Sequence, residues 1–179
     1  MRAIPCRDLA CTSYTRRWIR RSGSSRSRGF PVAFVLDRGV VGLPLGMAIG
    51  RIGDVINGEH HATACAAVPW CVRYTNPNTL GQSAPVHPAV AYELLLDLVI
   101  FVALLLFVRR GGRDGQVVLL FLLLYGIARL GLAPFRLDPI WLFGASQAVV
   151  VSLAFILIGA IGLVATRRAS STNTAPILV

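Results

Sequence analysis

The stretch Pro88–Val108 reads PAVAYELLLDLVIFVALLLFV. At about 20 residues it is long enough to cross ~30 Å of hydrocarbon. Its only charged residues, Glu93 and Asp97, lie four apart and so share one helical face. Pro88 suits the first helical position, where its missing N–H costs nothing. Two runs of similar length follow, Gly115–Ala133 and Ile140–Thr166. A marginal run precedes them at Gly39–Ile56 (GVVGLPLGMAIGRIGDVI), which carries Pro44, Arg51 and Asp54. Glycines at 39, 42, 46, 50 and 53 would let a neighbouring backbone approach that helix closely. The pattern predicts an all-α, polytopic integral membrane bundle of about four transmembrane helices.

Composition agrees. Hydrophobic residues make up 55% of the chain, above the roughly 45–50% of soluble domains. The net charge of +10 comes from 18 Arg and no Lys, with eight Arg in the first 28 residues. That cluster has little aromatic interleaving, so it reads as a basic segment held against anionic lipid, with no nucleic-acid partner. No uninterrupted apolar run follows it, which argues against a signal peptide, and Met1 is either the start or a misassigned one. Three divisions are expected: a disordered basic segment over residues 1–30, a transmembrane domain over 31–168, and a disordered tail over 169–179. With four spans, the N-terminal Arg cluster, Arg109–Arg113 and Arg167–Arg168 all fall on one side. The positive-inside rule makes that side cytoplasmic, with both termini in the cytoplasm and the loop Asn57–His87 facing outward.

Ionisable residues in or beside a span are costly and mark function by default. Arg51, Asp54, Glu59, Glu93, Asp97 and Arg129 belong to this class, and most fall near the outer ends of their spans. One reading is that they pair to hold the bundle. The other is a polar cavity open to the outer leaflet, where two guanidiniums suit a phosphate head group. Asp97, deeper than Glu93, either carries a proton or pairs with an Arg. Tyr125 shares a face with Arg129, for packing or for a hydrogen bond. The adjacent His60 and His61 point apart, and with His87 they form no recognisable ligand spacing, so no metal and no cofactor are expected. Cys65 and Cys71 are either bridged or two free thiols, while Cys6 and Cys11 are reduced.

Three stretches in register resemble the prolipoprotein diacylglyceryl transferase family. The first, G-R-x-G-N-F-x-N-G-E in the family, is Gly50-Arg51-Ile52-Gly53-Asp54-Val55-Ile56-Asn57-Gly58-Glu59 here. The second, R-H-P-S-Q-L-Y-E, is Val86-His87-Pro88-Ala89-Val90-Ala91-Tyr92-Glu93. The third, Y-G-x-x-R-F followed by F-R-x-P-D, is Tyr125-Gly126-Ile127-Ala128-Arg129-Leu130 and then Phe135-Arg136-Leu137-Asp138. Pro69-Trp70 also matches a family pair. The chain departs at Asp54, Ala62, Val86, Ala89-Val90 and Ala133, and the family's N-terminal helices with their His-Gly-Gly motif have no counterpart in it.

The resemblance implies a transferase of a bacterial-type plasma membrane. It would move diacylglyceryl from phosphatidylglycerol, a membrane lipid, to the lipobox cysteine thiol of a prolipoprotein signal peptide. It assigns catalysis to Arg51, Arg129 and Glu59, with Glu59 orienting Arg51 or the glycerol head group. Substrate binding falls to Arg51, Asp54, Asn57, Gly58, His87, Glu93, Tyr125 and Arg129. Two other readings stand beside it. One is a catalytically inactive, truncated membrane paralogue that binds lipid or a membrane partner, which rests on the departures. The other is a small channel or carrier, which rests on the intramembrane charges alone.

Overall fold

The computed structural model describes residues 32–66, 68–111, 114–142 and 144–171. The expected division at 1–30 lies outside the described residues, as do residues 172–179 of the expected tail 169–179, whose first three residues continue the last helix to Ser171. Among the described residues hydropathy dictates four long helices: α1 (Val32–Asn57), α2 (Ala89–Arg109), α3 (Gln116–Leu132) and α4 (Gln147–Ser171). All four are long and apolar enough to cross a membrane, α3 being prolonged by a 3-10 turn at Ala133–Phe135. Their outward faces carry Val99, Val102, Leu157 and Ile161. A bilayer leaves such side chains there without penalty, because lipid tails are as apolar as leucine. Pro88 caps α2 from outside rather than opening it, a one-residue shift within the fraying of any helix end.

The first span begins at Val32, seven residues before the expected Gly39, and two further features differ from the hydropathy reading. The fourth span begins at Gln147, not Ile140. Residues Ile140–Leu142 form β1 and pair antiparallel with β2 (Ala145–Ser146). Gly144, at φ 77°, turns the chain between them. The second difference is the glycines of α1. A Cβ at 39, 42, 46, 50 or 53 would meet nothing within 4 Å. The close backbone approach lies instead between α3 and α4. There a Cβ on Gly126 would stand 2.8 Å from the Ser152 carbonyl oxygen, and one on Gly159 2.7 Å from that of Leu119.

The core of the bundle is Ile100, Leu104, Val117 and Phe121, with Val40, Val41 and Met47 of α1 packed against it. One end is tied by Asp37, a buried carboxylate of α1. It accepts hydrogen bonds from the backbone N–H of Gly115 (2.6 Å) and Val118 (3.0 Å). Both are orphan donors of the first turn of α3, where a negative charge also meets the helix dipole. Gly115 must adopt φ 91° there, a conformation open to glycine. Gln116 donates to Thr166 (3.2 Å), which brings the end of α4 to the same level. Arg38, Arg109, Arg110 and Arg167 therefore share this end.

Backbone contact between α3 and α4 yields a test. Gly159→Ala forces a methyl into a backbone oxygen and is expected to destabilise the protein by about 1–3 kcal/mol, the usual cost of overpacking. Gly46→Ala, facing open space, is expected to be neutral or mildly stabilising through helix propensity. Thermal unfolding of both variants in detergent checks the pair.

Candidate functional site

At the other end of the bundle, Arg51 comes from the last two turns of α1, Glu93 from the start of α2 and Arg129 from the last turn of α3. Arg136 follows the 3-10 turn. All three guanidiniums meet the Glu93 carboxylate. Arg51 Nη2 lies 2.9 Å from Oε2. Arg129 Nη1 donates to Oε1, and Arg136 Nη1 donates to the same oxygen at 2.8 Å. Two further carboxylates balance the charge. Asp54 accepts from Arg51 at 3.0 Å, and Asp138 from Arg129 (3.3 Å) and Arg136 (3.2 Å). The Glu93 and Arg136 side chains are each only 6% exposed, so the pairs are desolvated and every charge needs its partner. Oε2 of Glu93 has an ionic neighbour in Arg51 but no well-aligned hydrogen bond.

The loop between α1 and α2 folds onto this end. Gly58 turns the chain at φ 74°, and a Cβ there would stand 2.5 Å from the Cα of Gly81. Tyr74 donates to the Val55 carbonyl at 2.7 Å, and burial pushes its phenol above the ordinary value. The Cys65–Cys71 disulfide is formed, with the Cα atoms 5.8 Å apart. Three backbone hydrogen bonds or bridges then run from the loop to the segment holding Arg136. Thr63 N–H donates to Phe135, Leu137 N–H donates to His61, and Ala62 pairs with Arg136. The loop thereby sets where the third guanidinium points.

The sequence-derived site divides on this geometry. Arg51, Asp54, Glu93 and Arg129 come together. Glu59 does not orient Arg51. It accepts from Asn57 at 2.7 Å, and the carboxylates on Arg51 are Asp54 and Glu93. His87 sits in an aromatic group with Phe135 (5.1 Å between ring centres) and Tyr92, its Nδ1 buried without a hydrogen bond. Tyr125 stacks on Phe121 and, with Arg51, Glu93, Asp97 and Arg129, lines a small chamber of about 10 Å³, room for about one water. Oδ2 of Asp97 is buried without a hydrogen bond. Asp54, Glu59 and His60 bring ligand atoms within 4.8 Å of one another, but Asp54 is already held by Arg51, whose charge opposes a cation there. Sequence reasoning missed Arg136 and Asp138 as site residues. Their signal was the Phe135–Asp138 stretch, legible as a motif but not as a buried pair.

Arg129 also faces a second, larger space of about 290 Å³ between α3 and α4, bounded by Asp138 and Gln147. Comparison with known proteins bears on this arrangement. The family model for prolipoprotein diacylglyceryl transferase matches residues 20–165. The chain belongs to the prolipoprotein diacylglyceryl transferase family. Among its relatives, the phosphatidylglycerol–prolipoprotein diacylglyceryl transferase of Clostridioides difficile is 34% identical over 137 residues, 76% of this chain and 52% of the relative. That of Gloeobacter violaceus is 34% identical over 157 residues, 84% of this chain and 58% of the relative. That of Rhodospirillum rubrum is 34% identical over 152 residues, 80% and 54% respectively. The chain thus spans about half the length of the curated relatives it matches. With four apolar helices and this family, it is a multi-pass membrane protein. All three stretches of family resemblance contribute a member of the ion cluster: Arg51, Glu93, and Arg129 with Arg136.

Glu93 is the member whose loss leaves most charge uncompensated. Glu93→Gln is expected to destabilise the protein by about 3–5 kcal/mol, the usual cost of breaking a buried ion pair. Asp54→Asn, whose partner Arg51 keeps Glu93, is expected to cost markedly less. Denaturation of both variants in micelles checks the order.

Proposed function

We propose that the chain transfers diacylglyceryl from phosphatidylglycerol to the lipobox cysteine thiol of a prolipoprotein, with the Arg51–Glu93–Arg129–Arg136 cluster handling the phosphate. The observation that carries this reading is the convergence of three guanidiniums on one buried carboxylate. Each guanidinium has five N–H donors, more than its carboxylate partners here take up. A lipid phosphate arriving at the cluster would meet oriented, desolvated donors, which is the arrangement that stabilises developing negative charge.

In the proposed step the cysteine sulfur attacks the glyceryl carbon that carries the phosphate ester. A C–S bond forms and the C–O bond breaks. The electron pair leaves on glycerol phosphate, and the thiol proton ends on that product or on water. Arg51 and Arg129 bind the phosphate and neutralise the leaving group. Glu93, Asp54 and Asp138 hold the guanidiniums in place. Asn57, Gly58 and Glu59 shape the mouth of the site, while Tyr125 and His87 contact the lipid. The disposition of the basic residues Arg38, Arg109, Arg110 and Arg167 at the opposite end supports an orientation with that end in the cytoplasm and the site at the outer leaflet.

A second reading has one observation behind it. Every arginine of the cluster already has a carboxylate partner, so the same groups could bind lipid without turnover. Proteoliposomes containing phosphatidylglycerol and a lipobox peptide separate the two. The wild-type chain is expected to add diacylglyceryl mass to the peptide, and Arg51→Ala or Arg129→Ala to lower the rate by ~100-fold or more. Lipid binding that depends on both arginines, with no transfer by wild type, would establish the second reading. Unchanged phosphatidylglycerol binding in both variants would leave the cluster structural only.

Orientation has its own test. In a chain lacking Cys6 and Cys11, reduction of the Cys65–Cys71 bridge is expected to make Cys71 reactive to an impermeant maleimide from outside intact cells. Reaction only after the inner face is opened would reverse the topology.

A further inference from the structure

The space of about 290 Å³ between α3 and α4 is not accounted for by phosphate handling. Its volume is near the lower end for ligand cavities, suited to a small polar group rather than a peptide. Its polar lining comes from Arg129, Asp138, Tyr125, Gln147 and Ser152, and Val151 is among its apolar residues. Arg129 is already shared between Glu93 and Asp138. The Ser152 hydroxyl is spent on the Ala148 carbonyl at 2.6 Å. Asp138 is likewise paired with Arg129 and Arg136 but keeps spare lone pairs on its two oxygens, so what remains to recognise a ligand is those acceptors, a phenol and one neutral amide. That amide belongs to Gln147, whose side chain is exposed at the start of α4 and makes no hydrogen bond among the described residues.

This set does not suit a second phosphate, which would want an uncommitted cation. It suits hydroxyl groups, which donate and accept at once. Asp138 offers acceptors, and the Gln147 amide offers two donors and an acceptor. We propose that the cavity between α3 and α4 holds the uncharged polyol end of a glycerophospholipid head group, and that Gln147 sets the preference for it while Arg129 lies at the phosphate. The inference rests on the lipid-phosphate reading of the cluster. Arg129 joins the two, because it lines both the small chamber beside Glu93 and the larger cavity. A head group ending in an ammonium would meet Asp138, but that carboxylate is already neutralised by Arg129 and Arg136. It would also leave the Gln147 donors with less to bind. Phosphatidic acid, with no distal group, would leave the cavity to water.

The test compares phosphatidylglycerol, phosphatidylethanolamine and phosphatidic acid in competition for the full chain, read by native mass spectrometry from mixed micelles. Wild type is expected to prefer phosphatidylglycerol. Gln147→Leu, at an exposed position and of similar size, is expected to lose about tenfold of that preference while still binding phospholipid, a loss on the scale of one hydrogen bond. Gln147→Asn keeps the amide and is expected to retain part of the preference. A preference unchanged in Gln147→Leu overturns the inference and leaves the phosphate reading standing. Equal loss in Gln147→Asn and Gln147→Leu also overturns it, as damage to the helix start rather than recognition. Failure of wild type to bind any of the three lipids overturns both.

Discussion

One buried carboxylate receives three arginines, and much of that half of the bundle is arranged to permit it. A unit charge pair at 4 Å is worth about 4 kcal/mol at an effective dielectric of 20. The desolvation penalty is several kcal/mol for each ion. No single pair at Glu93 would be comfortable on those terms. Three guanidiniums around it also repel one another, so Asp54 and Asp138 are needed to bring the local charges to balance. The balance requires α1, α2, α3 and the segment after α3 to reach one depth together. A slip of one helix along its axis by a single turn, about 5.4 Å, would strand at least one charge.

The loop from Asn57 to Pro88 is a consequence of that requirement. Arg136 lies beyond the end of α3, where no helix holds it. Its position is supplied by backbone pairing with Ala62 and by the flanking hydrogen bonds of His61 and Thr63. The disulfide at Cys65–Cys71 closes the neighbouring turn, and Trp70 donates to the Tyr92 hydroxyl at 2.7 Å, one residue from Glu93. The loop is therefore part of the site's scaffold. At the opposite end, Asp37 performs the comparable task for the start of α3.

Arg129 stands between two spaces of different character. On one side is the charged chamber with Arg51 and Glu93, on the other the wider, largely neutral cavity against α4. Tyr125 and Arg129 of α3 line both spaces and form the wall between them. A lipid head group has the same two-part character, an anionic phosphate and a neutral or zwitterionic end. That correspondence is why the cluster and the cavity are read as one site.

Much was legible from residue order alone. Long apolar runs require spanning helices because unpaired backbone groups cannot be left in hydrocarbon. The rarity of charges within those runs picked out Arg51, Asp54, Glu93 and Arg129. What residue order could not decide was anything that depends on a partner distant in sequence. Hydropathy read Ile140–Leu142 as helix, since it registers apolar content and not the turn that Gly144 imposes. It credited the glycines of α1 with close packing that belongs to Gly126 and Gly159, because spacing marks a smooth face without saying what lies against it. The family resemblance gave Glu59 to Arg51 or to the glycerol head group because the motif places them together, whereas the fold brings Glu93, 42 positions beyond Arg51 in the chain, to that guanidinium. Arg136, between Phe135 and Leu137 beyond a helix end, has no link to Glu93 legible in its own stretch until the loop is laid over it. Local chemistry determined which residues were costly to place, and only the tertiary structure decided which opposite charge compensates each one.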